Sequence, residues 1–433
     1  KGAQPPFENF LAELFKLIPA TMIFRSGFVH FGITVTLSLA LLFGASVATL
    51  FQYFRERCRT KKLATFLLLF IVLFHAVTNY PFFTGEIIFN GKSALPSQHL
   101  AIPNYYYHAA EWFNNQDEDF NVFSTSFGGS SWIAYDWGEG STYIGTDIDP
   151  YLIHKPFVYT NSLGFGNPAF VTDFRDYIRD SVYGDSTNDV SWILTLHNVK
   201  YILVHNESGQ HTWWGTVPPC VIMDNFLHQE GITFKNKFGD LIVLENSLWL
   251  PLHIYATNRA IVGDSVDEIA NKITLDKLLH GGYVTFLKKQ LSPVQHRFIQ
   301  NVTSLTYTHE TQIAYEKINP TEYVIRVNAT NPFFLIFTES YSPWWKAYII
   351  TGKDPETCWL GLTLREAVSE AFHFIANGHV NVWYIENTGN YSIILYFEPQ
   401  SITYLGFITF LSTFAVCTIY FLIKRRKVKG SDK

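Results

Sequence analysis

Cysteine is scarce in this 433-residue chain, with four in all. No CxxC spacing occurs, which argues against a zinc knuckle. Catalytic signatures are absent as well: there is no GxSxG, no HExxH, no Walker loop, and no GxGxxG after a strand. The histidines of the central region are scattered without metal-ligand spacing. Charged residues make up only 16% and the net charge is −5, with no basic stripe interleaved with aromatics, so nucleic acid is excluded as a partner.

What the chain has in abundance is apolar and aromatic surface. Aromatics reach 17%, including 38 Phe, 24 Tyr and 11 Trp. Three stretches, 31–52, 63–80 and 402–423, have the length and apolarity of bilayer-spanning helices. Between the first two lies a basic run containing Arg55, Arg57, Arg59, Lys61 and Lys62. Directly after the third lies Lys424-Arg425-Arg426-Lys427-Val428-Lys429. The positive-inside rule places both runs in the cytoplasm, the C-terminus with them, and residues 82–401 outside. The expected location is a cell membrane crossed several times. Charges inside the spans are nearly absent, so a transporter or channel is a weak reading. His75, inside the second span and near its end, reads as an interfacial or helix-packed residue in preference to part of a functional path.

The expected fold is α+β: three transmembrane helices flanking a large extracytoplasmic region. Residues 1–30 read as an outer interfacial amphipathic helix, with Phe7, Phe10, Leu11, Leu14, Phe15 and Ile18 on one face. Residues 31–81 supply two spans and their basic loop. Residues 82–295 mix helix and strand: 105–115 and 266–290 read as helical, and 121–126, 199–204 and 241–244 as strands. From 296 to 401 the period falls to two, as in Tyr323-Ile325-Val327 and Tyr391-Ile393-Leu395-Phe397, which predicts an antiparallel β-sandwich. Residues 402–433 form the last span and a basic tail.

Three places could carry chemistry. Asp136-Trp137-Gly138-Glu139, with Asp147 and Asp149 downstream, sets carboxylates beside aromatics. Such a group can bind a sugar, hold a divalent cation or act as acid and base. The competing reading is an ordinary polar turn. Arg25, where an interfacial helix meets a span, could clamp the phosphate of a lipid-linked donor, or simply snorkel. Trp344-Trp345 should point to opposite faces of a strand, one into the core and one towards sugar or lipid. Four sequons, at Asn206, Asn301, Asn328 and Asn390, all fall in the region placed outside. Cys220 and Cys358 lie there too, and an oxidising exterior would permit them to pair.

Several segments, in order, resemble polytopic membrane proteins of the GT-C type. They are Ile23-Phe24-Arg25, Tyr80-Pro81 with Thr84-Gly85, Leu196-His197-Asn198-Val199-Lys200-Tyr201-Ile202, Pro332–Tyr341, Trp345-Lys346-Ala347-Tyr348 and Asn377-Gly378-His379-Val380-Asn381-Val382-Trp383-Tyr384. The similar groups are the YfhO-like and the large arabinofuranosyltransferase-like proteins. The resemblance implies transfer of a sugar from a polyprenyl-phosphate donor at the outer leaflet. It also implies that the chain is the C-terminal part of a longer protein, with the catalytic carboxylate in an earlier loop that nothing here matches. No catalytic residue is carried over, and this piece alone is not expected to catalyse or to hold a cofactor. Membrane lipid, a surface glycan or glycoprotein, and other membrane subunits are the implied partners. The alternative is a non-catalytic, membrane-anchored subunit that binds glycan or protein during assembly of the cell envelope.

Overall fold

The computed structural model describes residues 27–57, 61–78, 80, 84, 102–125, 133–137, 142–145, 147–159, 172–186, 188–207, 210–212, 215–280, 282–303, 311–350 and 366–431. The amphipathic segment 7–18 lies outside them, as do Arg25, Glu139 and Cys358. The chain divides into two units, 1–99 and 100–433.

The first unit contributes α1 (Gly27–Arg57) and α2 (Lys61–Thr78). Their apolar side chains are exposed nearly throughout, the signature of helices whose solvent is lipid. They pack on each other through His75, whose ring meets Phe43 edge-on at 4.7 Å. The membrane histidine is therefore helix-packed, as its sequence context led one to expect. Among the described residues two helices are long and apolar enough to cross a membrane, over Val35–Glu56 and Pro399–Tyr420. α2 contributes a shorter apolar stretch, Leu68–Thr78.

The second unit opens with α3 (Asn104–Asn114) and a five-stranded sheet in the order β4-β1-β5-β9-β8. Its strands are β1 (Asn121–Ser124), β4 (Phe157–Tyr159), β5 (Val199–His205), β8 (Ile232–Phe238) and β9 (Leu241–Asn246). β1, β4 and β5 are parallel, while β9 and β8 are antiparallel additions. Short hairpins follow in the chain, β2 (Ile133–Asp136) with β3 (Thr142–Gly145) and β6 (Gln210–Thr212) with β7 (Gly215–Val217). Helices α4 (Asp149–Leu152), α5 (Thr172–Val182), α6 (Ser191–Leu196) and α7 (Pro219–Leu227) come between the strands.

Two four-stranded antiparallel sheets come next. One has the order β10-β15-β18-β17, the other β13-β14-β19-β16. The first comprises β10 (Ile254–Thr257), β15 (Phe333–Ser340), β17 (His373–Ala376) and β18 (Val380–Ile385). The second comprises β13 (Gln312–Asn319), β14 (Glu322–Ala329), β16 (Trp345–Ile350) and β19 (Gly389–Phe397). Phe333, Leu335 and Phe337 face the second sheet and share a core with Tyr323, Ile325, Ile393 and Leu395. Phe334 and Ile336 point the other way, into the core of the α/β layer. A strand buried on both faces needs apolar residues at every position, which is why 333–337 shows no alternation.

The segment expected to be helical over 266–290 divides. It gives α8 (Val266–Lys272) and α9 (Leu275–Leu279), and then β12 (Val284–Leu287), parallel to β11 (Ala260–Gly263). α10 (Pro293–Thr303) packs its Ile299 and Val302 into the same core. That core runs from Phe123 to Tyr384, and β10 joins the sandwich from before residue 296. The two outer parts read from the sequence are thus one packed body. The long helix α11 (Pro399–Ser431) leaves β19 after a single connecting residue.

Candidate functional site

The parallel strands fix where polar chemistry can gather. The chain visits β1, then β4 on one side of it, then β5 on the other. Such a reversal opens a crevice beyond the carboxyl ends of the central strands, where open α/β sheets hold ligands. Thr125 follows β1, Tyr159 ends β4 and His205 ends β5. The strand ends are tied together: Thr125 N–H donates to the Leu203 carbonyl (3.0 Å), and the Tyr183 hydroxyl donates to the Thr125 carbonyl (2.9 Å).

Around His205 the fold assembles a buried polar chain. Its Nε2 lies 2.8 Å from Asp149 Oδ2, and its Nδ1 lies 3.1 Å from Glu207 Oε1. Tyr106, from α3, donates its hydroxyl to the same Glu207 oxygen. Tyr135, from β2, donates to Asp147 Oδ1 at 2.8 Å, and that oxygen also accepts the Asp149 N–H at 3.1 Å. Asp149 and His205 are wholly buried, and Asp147 and Glu207 nearly so. Asp149 Oδ1 and Glu207 Oε2 are buried without a hydrogen-bond donor among the described residues. Aromatic rings close over the group: Tyr135 stacks on Trp137 at 5.7 Å, and Tyr106 meets Trp137 edge-on at 5.9 Å.

The electrostatics follow from this crowding. Burial works against a charged imidazole at His205, but Asp149 and Glu207 outweigh it and raise its pKa well above the ordinary value. Asp149 is pushed up by burial and by Asp147, with His205 opposing. Burial and neighbouring carboxylates keep the Tyr106 and Tyr135 hydroxyls protonated. The arrangement holds the His205 imidazole between the carboxyl groups of Asp149 and Glu207, with one oxygen of each left to accept further bonds. That chemistry suits hydroxyl-rich ligands. Among the described residues no group of three or more His, Cys, Asp or Glu is disposed to hold a metal ion.

Of the residues singled out in the sequence, Trp137 belongs to this cluster, partly buried against its core. Asp136 pairs through its backbone with Thr142 in the neighbouring hairpin. The acidic members brought together are the downstream Asp147 and Asp149. His205, Glu207, Tyr106 and Tyr135 were missed. Their one sequence signal is the polar run His205-Asn206-Glu207 closing an apolar strand. Trp344 stands in the sandwich, exposed, with its carbonyl bound to Glu398. The sequon residues Asn206, Asn301, Asn328 and Asn390 are all exposed, and Asn328 and Asn390 are cross-strand partners. Cys220 is exposed at the start of α7.

The motif segments that carry the family resemblance meet elsewhere. His197 and His379 stack with rings parallel, centroids 4.8 Å apart and Nε2 to Nδ1 at 3.2 Å. His197 is buried and His379 partly so, and desolvation pushes His197 down to about 4 and His379 well below its ordinary value. Asn377 and Asn198 adopt positive φ, 46° and 57°. These residues lock the α/β layer to the sandwich. A cavity of about 320 Å³ bordered by Asp189, Trp192 and Glu230 is a lesser candidate, because neither of its carboxylates is a buried acceptor without a donor.

No family model and no curated protein matches the chain. Among solved structures, it is similar to a single-particle cryo-EM structure of the arabinofuranosyltransferase AftD from Mycobacteria. The identity is 10% and the TM-score 0.35, over 78% of this chain and 32% of that one. A mutant form of the same enzyme matches at 12% identity and a TM-score of 0.34, over 78% and 34%. The likeness is distant, and the chain spans about a third of the length of these structures.

Proposed function

We propose that this chain is the membrane-anchored C-terminal portion of a GT-C-like glycosyltransferase whose outer region binds the acceptor glycan or glycoprotein. The donor in this reading is a polyprenyl-phosphate-linked sugar at the outer leaflet, and Arg25 is the candidate clamp for its phosphate. The observation that carries the proposal is the Asp149–His205–Glu207 chain beneath Tyr106, Tyr135 and Trp137, at the carboxyl ends of parallel strands. Aromatic rings meet the C–H faces of a sugar while carboxylates take its hydroxyls. Buried acceptors without donors are costly until a ligand supplies them. Asp136 and Glu139, which flank Trp137 in sequence, are proposed to extend the contact. No catalytic residue is assigned.

The test is saturation-transfer NMR on the full chain in detergent micelles, against a panel of cell-envelope oligosaccharides. The Trp137→Ala variant should bind its best oligosaccharide about fivefold to tenfold more weakly, as the loss of one aromatic contact predicts. Wild-type affinity in a variant of unchanged melting temperature would remove the cluster from the proposal. No binding to any oligosaccharide would count against the proposal as a whole.

A further inference from the structure

Among the described residues Trp344 is the most exposed tryptophan, at 52%, and the fold holds it at a defined height. Its carbonyl accepts the Glu398 N–H at 3.0 Å. Glu398 is the single residue between the end of β19 and the start of α11. The junction has no slack: the Tyr396 hydroxyl meets Ser401 Oγ at 2.9 Å, and the Phe397 N–H donates to the Thr321 carbonyl at 2.9 Å. Three residues into α11 comes Ile402, the first strongly exposed aliphatic of the apolar helix, at 70%. At ~1.5 Å of rise per residue, the Trp344 backbone sits within about one helical turn of the level where hydrocarbon would begin.

The same rim carries a second exposed apolar side chain. The turn joining β13 to β14 lies level with Tyr396 and Phe397 through the Glu322–Tyr396 pairing and the Thr321 carbonyl. Ile318, at the register shift just before that turn, is 45% exposed. The Trp344 turn is itself braced: Asn381 Oδ1 accepts the Ser342 N–H at 3.1 Å, and the Trp345 N–H donates to the Ser342 carbonyl at 3.1 Å. Trp345 faces inward and belongs to the sandwich core. The outward ring of Trp344 is thus presented by a rigid turn.

We infer that the rim of the sandwich formed by Trp344 and Ile318 docks on the lipid headgroup layer and fixes the tilt of the outer region over the bilayer. The partner is the membrane surface, chosen because the rim is continuous with α11. A tryptophan at headgroup depth keeps its apolar body in lipid and its N–H in water. The inference rests on the membrane-anchored reading above and moves Trp344 from sugar contact to lipid contact.

The experiment places single probes on the full chain, with Cys58, Cys220 and Cys358 changed to Ser and Cys417 to Ala. Trp344→Cys, Asn387→Cys and Val416→Cys variants are each labelled with the fluorophore NBD. They are reconstituted in vesicles of phosphatidylcholine and phosphatidylglycerol, and lipids doxyl-labelled at shallow or deep positions act as quenchers. Val416 is exposed within the apolar helix. Asn387 precedes the far end of β19, whose nine residues set it about 30 Å from the rim. The expected result is quenching at 416 by deep labels, at 344 by shallow labels, and at 387 by neither. A probe at 344 as unquenched as the one at 387, with 416 quenched, overturns the docking rim and leaves the anchor intact. An unquenched probe at 416 overturns both. Protection at 344 by an oligosaccharide in place of lipid returns Trp344 to sugar binding and likewise overturns the inference.

Discussion

At the scale of single residues, His205 and the His197–His379 pair show one physical rule with opposite outcomes. His205 and His197 are buried and His379 is partly buried, and burial alone disfavours charge. His205 has two carboxylates at its nitrogens and is held charged. His197 and His379 have each other and backbone groups, and are held neutral. The two cases respond to pH with opposite sign. The raised pKa of His205 adds stability that is complete below about pH 6.5, the unfolded value, and is lost as pH rises through the folded value. The lowered pKa of His197 acts in the other direction, since the unfolded state gains a proton below about 6.5 that the folded state refuses down to about 4. We expect His205→Ala to leave Asp149 and Glu207 without their counter-charge and to cost about 3–5 kcal/mol. We expect His379→Gln to flatten the fall in melting temperature as pH drops below about 6.5. Thermal unfolding in detergent across that range measures both. A His205→Ala chain as stable as wild type would remove the charged chain as a structural element.

At the scale of elements, the hairpin joining β17 to β18 shows what a motif can encode. Asn377-Gly378, at φ 46° and 89°, makes the tight left-handed turn that suits a twisted hairpin. Asn377 does more than turn. Its Oδ1 accepts Thr285 N–H (2.7 Å) and Oγ1 (3.0 Å), its Nδ2 donates to the Tyr255 hydroxyl (2.9 Å), and its N–H donates to the Thr285 carbonyl (2.9 Å). Replacement by Gly keeps the turn and loses the side-chain bonds, whereas Ala loses both. Asn377→Ala should therefore be less stable than Asn377→Gly by about 1–2 kcal/mol, the cost of a left-handed L-residue. Equal melting temperatures in the two variants would show that the backbone geometry contributes nothing.

Legibility in the sequence follows from the same physics. On the face of β14 and β19 turned to the first sheet, Tyr323, Ile325 and Val327 and Tyr391, Ile393 and Leu395 recur with period two and were readable, while Val324, Ile394 and Tyr396 on the other face join a second small core with Tyr348 and Ile350. β12 was absorbed into a helical reading because four apolar residues carry no period. The polar cluster was only half visible. Asp147 and Asp149 lie close to Trp137 in sequence, while Tyr106, His205 and Glu207 arrive from other elements through strand order alone.

At the scale of the whole molecule, the basic runs and the two long apolar helices make a claim about sides of a membrane. Arg55–Lys62 and the run from Lys424 to Lys429 lie at ends of apolar helices. Cytoplasmic loops retain such charges, and on that ground we propose that the packed body between β1 and β19 lies outside. The single core from Phe123 to Tyr384 gives that body no internal break at which a part could lie on the other side. Asn390 is exposed on it and is a fair reporter. With the other native cysteines replaced, a membrane-impermeant maleimide applied to intact cells should modify a chain carrying Asn390→Cys. It should spare a chain that retains only Cys58, between the first two apolar helices. Permeabilised cells should show both labelled. The inverse pattern would turn the body inward, away from any outer-leaflet donor, and would end the glycosyltransferase reading along with the topology. The expected pattern places the Asp149–His205–Glu207 cluster where surface glycans are built.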